Sequence, residues 1–146
     1  MDWKSVAIGK LVDYPDKKES LKNIKSQIYA LEAKSTSVKG FVTDKIPTAG
    51  GGNVYSDKQL DIIVEMEELR ARYNITRKEL IPIENALDKL NEEERWLVDT
   101  YSRRLKGIAL ENAMWEKLHY QKTVAYSKRT AAIKRFTMLL YGIIEG

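Results

Sequence analysis

The sequence predicts an all-α protein in which a long coiled-coil helical hairpin precedes a C-terminal three-helix helix-turn-helix domain. Two observations support this fold class. Apolar side chains recur with helical spacing along most of the 146 residues, and only three residues are proline. Breaker residues concentrate in one segment, GFVTDKIPTAGGGNVY. We therefore expect the hairpin at residues 1–90, with a glycine-rich loop near 40–55, and the helix-turn-helix domain at 91–146.

The first helical segment has an apolar stripe and a proline near its expected start. Pro15 followed by Asp16 suits a first helical turn, because proline needs no amide partner there. The stripe that follows contains Leu21, Ile24, Ile28 and Leu31. We expect a separate short helix before it, with Trp3, Ala7, Leu11 and Tyr14.

The clearest periodic signal lies between Ser56 and Leu90. Alternating steps of four and three connect nine positions, eight of them apolar or aromatic: Ile62, Met66, Leu69, Tyr73, Thr76, Leu80, Ile83, Leu87 and Leu90. Such spacing keeps one seam facing a partner helix, as in a coiled coil. The register continues through Pro82, so one bent helix is expected. Because the first segment is too short to cover the whole seam, a homo-oligomer is also expected.

Two shorter helices are expected after the long one. Asn91 and Glu94 match a capping box, which marks a helix start, and Gly107 is expected to end that helix. A second helix is expected over residues 108–118, followed by a turn at 119–121. The three tryptophans are expected to anchor the core: Trp3, Trp96 and Trp115.

The last helix is expected from about Lys122 to Tyr141, with Gly142 as its terminator. One face carries polar and basic residues, namely Lys122, Tyr126 and Arg129, flanked by Thr123 and Thr130. The opposite face is expected to enter the core with Val124, Ser127, Ala131, Phe136, and Leu139 or Leu140.

The net charge of +4 is small, so its distribution is more informative than its sum. Between Lys117 and Ile144 there are six lysine or arginine residues and no acidic residue. A helix that binds phosphates needs charge of one sign, since released counterions supply much of the affinity. The expected DNA-binding residues are Lys122, Thr123, Tyr126, Lys128, Arg129, Lys134 and Arg135. The alternative is a solvated basic face without a ligand.

The sequence favours a protein that is not an enzyme and that has no cofactor, metal or membrane span. Cysteine is absent, and the only histidine, His119, has no partner constellation for catalysis. The glycines at residues 50–52 lack the lysine and hydroxyl residue of a P-loop. The N-terminus has no leader pattern, and the apolar run at residues 138–144 is too short for a bilayer. A soluble cytoplasmic protein is expected.

Two segments, LNEEERWLVDTYSRRL and WEKLHYQKTVAYSKRTAAIKRFTMLLYG, are similar to those of a known family. Together with the hairpin, the chain resembles the ArpU/RinA-type phage late transcriptional regulators, whose C-terminal half is similar to region four of bacterial sigma factors. The resemblance covers about residues 48–142. It implies a sequence-specific regulator of late genes in a bacterial host cell, with double-stranded DNA and RNA polymerase as partners.

Two other phage roles stay open. One is a helical scaffold protein that recruits a partner through residues 62–90, with an incidental basic tail. The other is a packaging subunit that binds DNA to start genome processing. Charge placement separates the regulator from the scaffold: basic residues should converge on an exposed recognition face in the first and disperse in the second.

Overall fold

A computed structural model of the chain describes residues 1–36 and 56–145. The described residues form five helices: α1 (Trp3–Thr36), α2 (Asp57–Lys89), α3 (Glu92–Ser102), α4 (Gly107–Leu118) and α5 (Lys122–Tyr141). This confirms the expected all-α class. The glycine-rich loop expected near residues 40–55 falls outside the described residues. Within the described part of the chain, no helix combines the length and apolar character that crossing a membrane requires.

The chain divides into two compact units. The first contains Met1–Lys18 and Glu79–Gly146, and the second contains Glu19–Lys78. The division expected from the sequence, between residues 90 and 91, therefore falls inside the first unit. The physical reason is that the first turns of α1 and the last turns of α2 bury apolar side chains in that unit, including Leu11 and Leu80.

α1 is a single helix, so the expectation of a separate short helix before Pro15 is wrong. Pro15 lies inside α1 and is exposed. A proline inside a helix lowers the free energy of unfolding by about 3 kcal/mol, whereas fully burying one leucine side chain raises it by about 1.5 to 3 kcal/mol. Ala7 and Leu11 are buried before the proline, and Leu31 is buried after it. Burial on both sides thus offsets the local penalty.

α2 also contains a proline, Pro82, and is one helix as expected. Eight of the nine seam positions lie in α2 and the ninth, Leu90, follows its last residue; all nine are buried or half-buried, which confirms the periodic pattern. In the second unit the seam residues Ile62, Met66 and Leu69 form a core cluster with Leu31, against which Ile24 and Ile28 pack.

α3 begins with the expected capping box. The Asn91 Oδ1 accepts a hydrogen bond from the Glu94 amide at 2.8 Å, and the Glu94 Oε1 accepts one from the Asn91 amide at 3.0 Å. The helix ends at Ser102, so the expectation that Gly107 terminates it is wrong. Gly107 has a φ of +60° and is the first residue of α4. Its left-handed backbone starts the next helix instead of ending α3.

Replacing Asn91 by alanine is expected to lower the free energy of unfolding by about 1 kcal/mol, because the side-chain oxygen that accepts the hydrogen bond of the Glu94 amide is lost. Urea denaturation followed by circular dichroism measures this change. Asn112→Ala, at an exposed position inside α4, is the matched control and should not destabilise the protein. Equal unfolding midpoints for wild type and Asn91→Ala would contradict the role of the cap.

Candidate nucleic-acid interface

α4 and α5 are joined by three residues, 119–121. His119 adopts the left-handed conformation with a φ of 59°, and its amide donates a hydrogen bond to the Trp115 carbonyl at 2.9 Å. Gln121 is extended and places Lys122 at the first position of α5, although its side chain forms no capping bond. Gly142, with a φ of 70°, ends α5 as expected.

The buried face of α5 differs from the expected one. Phe136 is buried as expected, and of the pair Leu139 or Leu140 it is Leu140 that is half-buried. Val124, Ser127 and Ala131 are exposed, so the expectation for these three positions is wrong. The side chains that enter the core are Ala125, Ala132, Ile133, Phe136 and Thr137. The buried stripe is shifted by about one residue along the chain, which turns the helix by about 100° about its axis. This shift decides which basic residues face solvent.

Arg129 packs against α3 and does not extend from the outward face. Its Nε donates a hydrogen bond to the Thr100 Oγ1 at 2.9 Å, and its guanidinium carbon lies 3.7 Å from the centroid of the Tyr101 ring. Burial lowers the pKa of the Arg129 guanidinium and raises the pKa of the Tyr101 phenol. Arginine nevertheless stays protonated in proteins. The cation is therefore part of the contact between α5 and α3.

Tyr126 and Lys122 both contact a carboxylate of α4. The Tyr126 hydroxyl donates a hydrogen bond to the Glu111 Oε1 at 3.3 Å, and the Lys122 Nζ lies 3.3 Å from the same oxygen. The face that joins Lys122, Tyr126 and Arg129 is thus directed toward α3 and α4. The Lys122 side chain is 70% exposed, so its ion pair is weak and Lys122 can exchange Glu111 for another anion.

A different face of α5 is directed outward. Thr123, Ser127, Thr130 and Lys134 follow one another at steps of four, three and four residues and are all exposed. The last three line an open depression together with Tyr126 and Ala131. Thr123 and Lys134 belong to the expected site, whereas Ser127 was expected in the core. The helical spacing of these four polar residues is the signal that could have identified the face.

The remaining basic residues lie beside this outward face. The Lys128 Nζ lies 5.1 Å from the centroid of the Tyr120 ring. Arg135 is bonded to the Glu94 carboxylate and to the Lys89 carbonyl oxygen. Within residues 1–36 and 56–145, no carboxylate forms an ion pair with Lys128 or Lys134. These two lysines are the cations of α5 that are available to an external anion without first breaking an ion pair.

Trp115 is exposed, so the expectation that it anchors the core is wrong. Its side chain is 55% exposed, and its ring contacts His119 edge-on with centroids 6.1 Å apart. It lies seven residues after Ile108, which is 75% exposed, so both are on one outward face of α4. Trp3 and Trp96 are half-buried.

Comparison of the chain with protein-family models, with curated proteins and with solved structures finds no match. No group of three or more His, Asp or Glu side chains in the described residues is arranged to hold a metal ion. The geometry of α5 is therefore the basis on which a function can be proposed.

Proposed function

We propose that the protein binds double-stranded DNA through the outward face of α5. The observation that carries this proposal is the combination of hydroxyl and lysine side chains on that face, in a segment without acidic residues from Lys117 to Ile144. Acidic neighbours would cancel the attraction to phosphates, and none lies within the segment. The carboxylates of Glu111 and Glu94 contact α5 but pair with Lys122 and Arg135, not with Lys128 or Lys134. Lys128 and Lys134 are both exposed on α5 and form no ion pair within the described residues, which supports a DNA reader over a scaffold.

The connection between α4 and α5 supports the same proposal. Helix-turn-helix proteins join two helices by a turn of three or four residues, and the second helix enters the major groove. Residues 119–121 have this length, and the left-handed His119 provides the conformation for which glycine is often used in such turns. In the proposed arrangement α5 is the recognition helix.

In this proposal, hydroxyl side chains contact bases and basic side chains contact phosphates. Thr123 and Ser127 lie in the first two turns of α5, where recognition helices contact base edges, and hydroxyl groups can donate to or accept from a base. Lys128 and Lys134 supply phosphate contacts that position the helix without reading sequence. Arg135 of the expected set is not included, because its guanidinium is bonded to Glu94 and to the Lys89 carbonyl oxygen.

The proposed site thus differs from the set expected from the sequence. Arg129 is not included, because its guanidinium is engaged by Thr100 and Tyr101. Tyr126 lies at the edge of the site, because its hydroxyl is bonded to Glu111. The exposed hydroxyl residues Ser127 and Thr130 are added.

The narrower role, regulation of phage late genes together with RNA polymerase, follows from the family resemblance alone. The helical hairpin expected for residues 1–90 is likewise a proposal, supported in the second unit by the packing of Leu31 with Ile62 and Met66. A regulator should discriminate a promoter from random duplex. A packaging subunit should discriminate a packaging site instead.

Removal of the two available lysines is expected to weaken DNA binding and its salt dependence. Lys128→Ala and Lys134→Ala should each reduce the slope of log K against log salt by about 0.9 if each lysine neutralises one phosphate. The measurement is a salt titration of binding to phage late-promoter DNA and to random duplex by fluorescence anisotropy. Lys58→Ala, at an exposed position on α2, is the control and should leave the slope unchanged.

The same titration separates the competing roles. Thr123→Ala and Ser127→Ala should reduce the preference for promoter over random duplex, since they remove groups that can contact bases. Wild-type protein that binds neither duplex at low salt would eliminate the DNA-binding proposal and leave the scaffold role. An unchanged slope in both Lys128→Ala and Lys134→Ala would show that another surface binds the DNA.

A further inference from the structure

α2 has a second apolar stripe that is exposed in the second unit. Leu60 is 38% exposed, Val64 is 52% exposed and Ile75 is 60% exposed. Together with the exposed Ala71, these residues are separated by four, seven and four positions, so they lie along one side of the helix. The stripe spans about four turns of α2.

This stripe lies on the side of α2 opposite to the intrachain core. Val64 is two residues from both Ile62 and Met66, and such a step corresponds to a rotation of about 200° on a helix. Ile62 and Met66 belong to the cluster around Leu31. The helix is therefore apolar on two opposite sides, and one of them is covered by α1. A helix with a single partner needs only one such side.

Charge along the same part of α2 is divided into two halves. Residues 57–68 contain five acidic residues and one lysine. Residues 69–78 contain four basic residues and no acidic one. Two parallel copies of this helix would place like charges beside each other, whereas two antiparallel copies place each acidic half beside a basic half. The charge pattern is thus complementary to itself in one orientation only.

We propose that a second copy of the chain docks on this face, with the two α2 helices antiparallel and crossing near Glu68. The apolar stripe of each copy covers that of the other, and the charged halves fix the direction. Such a two-fold contact is isologous, so the same residues serve both copies. The surface differs from the seam that the sequence suggested, because the seam is already buried or half-buried within one chain. The inference does not depend on DNA binding.

A charged residue on the stripe should disrupt this dimer. Sedimentation velocity over a range of concentrations should show a dimer for wild type, and Ile75→Lys should weaken the dimer by about tenfold or more, because a charge is buried at two symmetric positions. Tyr29→Lys is the matched control, since Tyr29 is a 57% exposed residue of α1. Wild-type protein that stays monomeric throughout, or equal weakening by both variants, would overturn the proposal.

Disulfide cross-linking tests the orientation independently of how the lysine variant folds. The sequence has no cysteine, so a single introduced cysteine reports one distance. In the antiparallel dimer Glu68→Cys should cross-link to its own copy, whereas the two residues of Leu60→Cys are about 24 Å apart and should not. Cross-linking of Leu60→Cys would show a parallel pair, and no cross-linking of Glu68→Cys would show that this face is not the interface. Either result would overturn the proposal.

Discussion

Replacing Arg129 by alanine is expected to lower the free energy of unfolding by about 2 to 4 kcal/mol. The change removes a charged hydrogen bond, which contributes about 1.5 to 3 kcal/mol, and a cation–π contact, which contributes about 0.5 to 2 kcal/mol. It also leaves the Thr100 hydroxyl, which is fully buried, without the donor that it accepts from. Urea denaturation measured by circular dichroism gives the difference directly.

Lys134→Ala is the matched control for Arg129→Ala, because it removes another cation of α5 without touching α3. It should leave stability unchanged and weaken DNA binding. Arg129→Ala should lower stability and leave DNA binding unchanged, when binding is measured under conditions where the variant is folded. Arg129→Lys should be nearly as unstable as Arg129→Ala, since lysine cannot both stack on Tyr101 and reach Thr100 through Nε. Arg129→Ala with wild-type stability and weakened DNA binding would restore Arg129 as a DNA contact.

Phe136→Ala is expected to have the largest effect on stability, a loss of about 3 to 5 kcal/mol, because the ring is removed from a packed core. Phe136 has no exposed surface and is the largest fully buried side chain of the described residues. Thermal denaturation should therefore show a much lower melting temperature. Leu139→Ala is the control on the same helix: Leu139 is 42% exposed, so its loss should cost less than about 1 kcal/mol. Equal losses at the two positions would contradict the observed orientation of α5.

The helices that could be predicted from the sequence are those specified by local signals. The bounds of α5 follow from the turn before Lys122 and from Gly142, and the start of α3 follows from the capping box at Asn91. The course of α1 could not be predicted in the same way. Its local signal at Pro15 indicates a helix start, but the buried side chains of Ala7 and Leu11 depend on residues far along the chain.

The basic segment could be located from the sequence, but its exposed face could not. Charge count gives Arg129 and Lys134 equal weight, although one packs on Tyr101 and the other faces solvent. Alanine makes the face ambiguous, because Ala131 is exposed and Ala132 is buried with the same side chain. Which of these two alanines is buried depends on the residues of α3 and α4 that pack against α5. Periodicity alone does not contain that information.

In the first unit, the start of α1 contacts the residues at and after the end of α5. The Trp3 amide donates a hydrogen bond to the Ile144 carbonyl at 3.1 Å, and the Trp3 and Tyr141 rings lie 4.8 Å apart between centroids. During synthesis, the buried side chains of Ala7 and Leu11 therefore lack the rest of their unit until residues from Glu79 onward have been made. Contacts of such long sequence separation form slowly, because a large loop must close first. Residues 19–78, whose unit is contiguous in sequence, have no such delay and can fold while the remainder is being made.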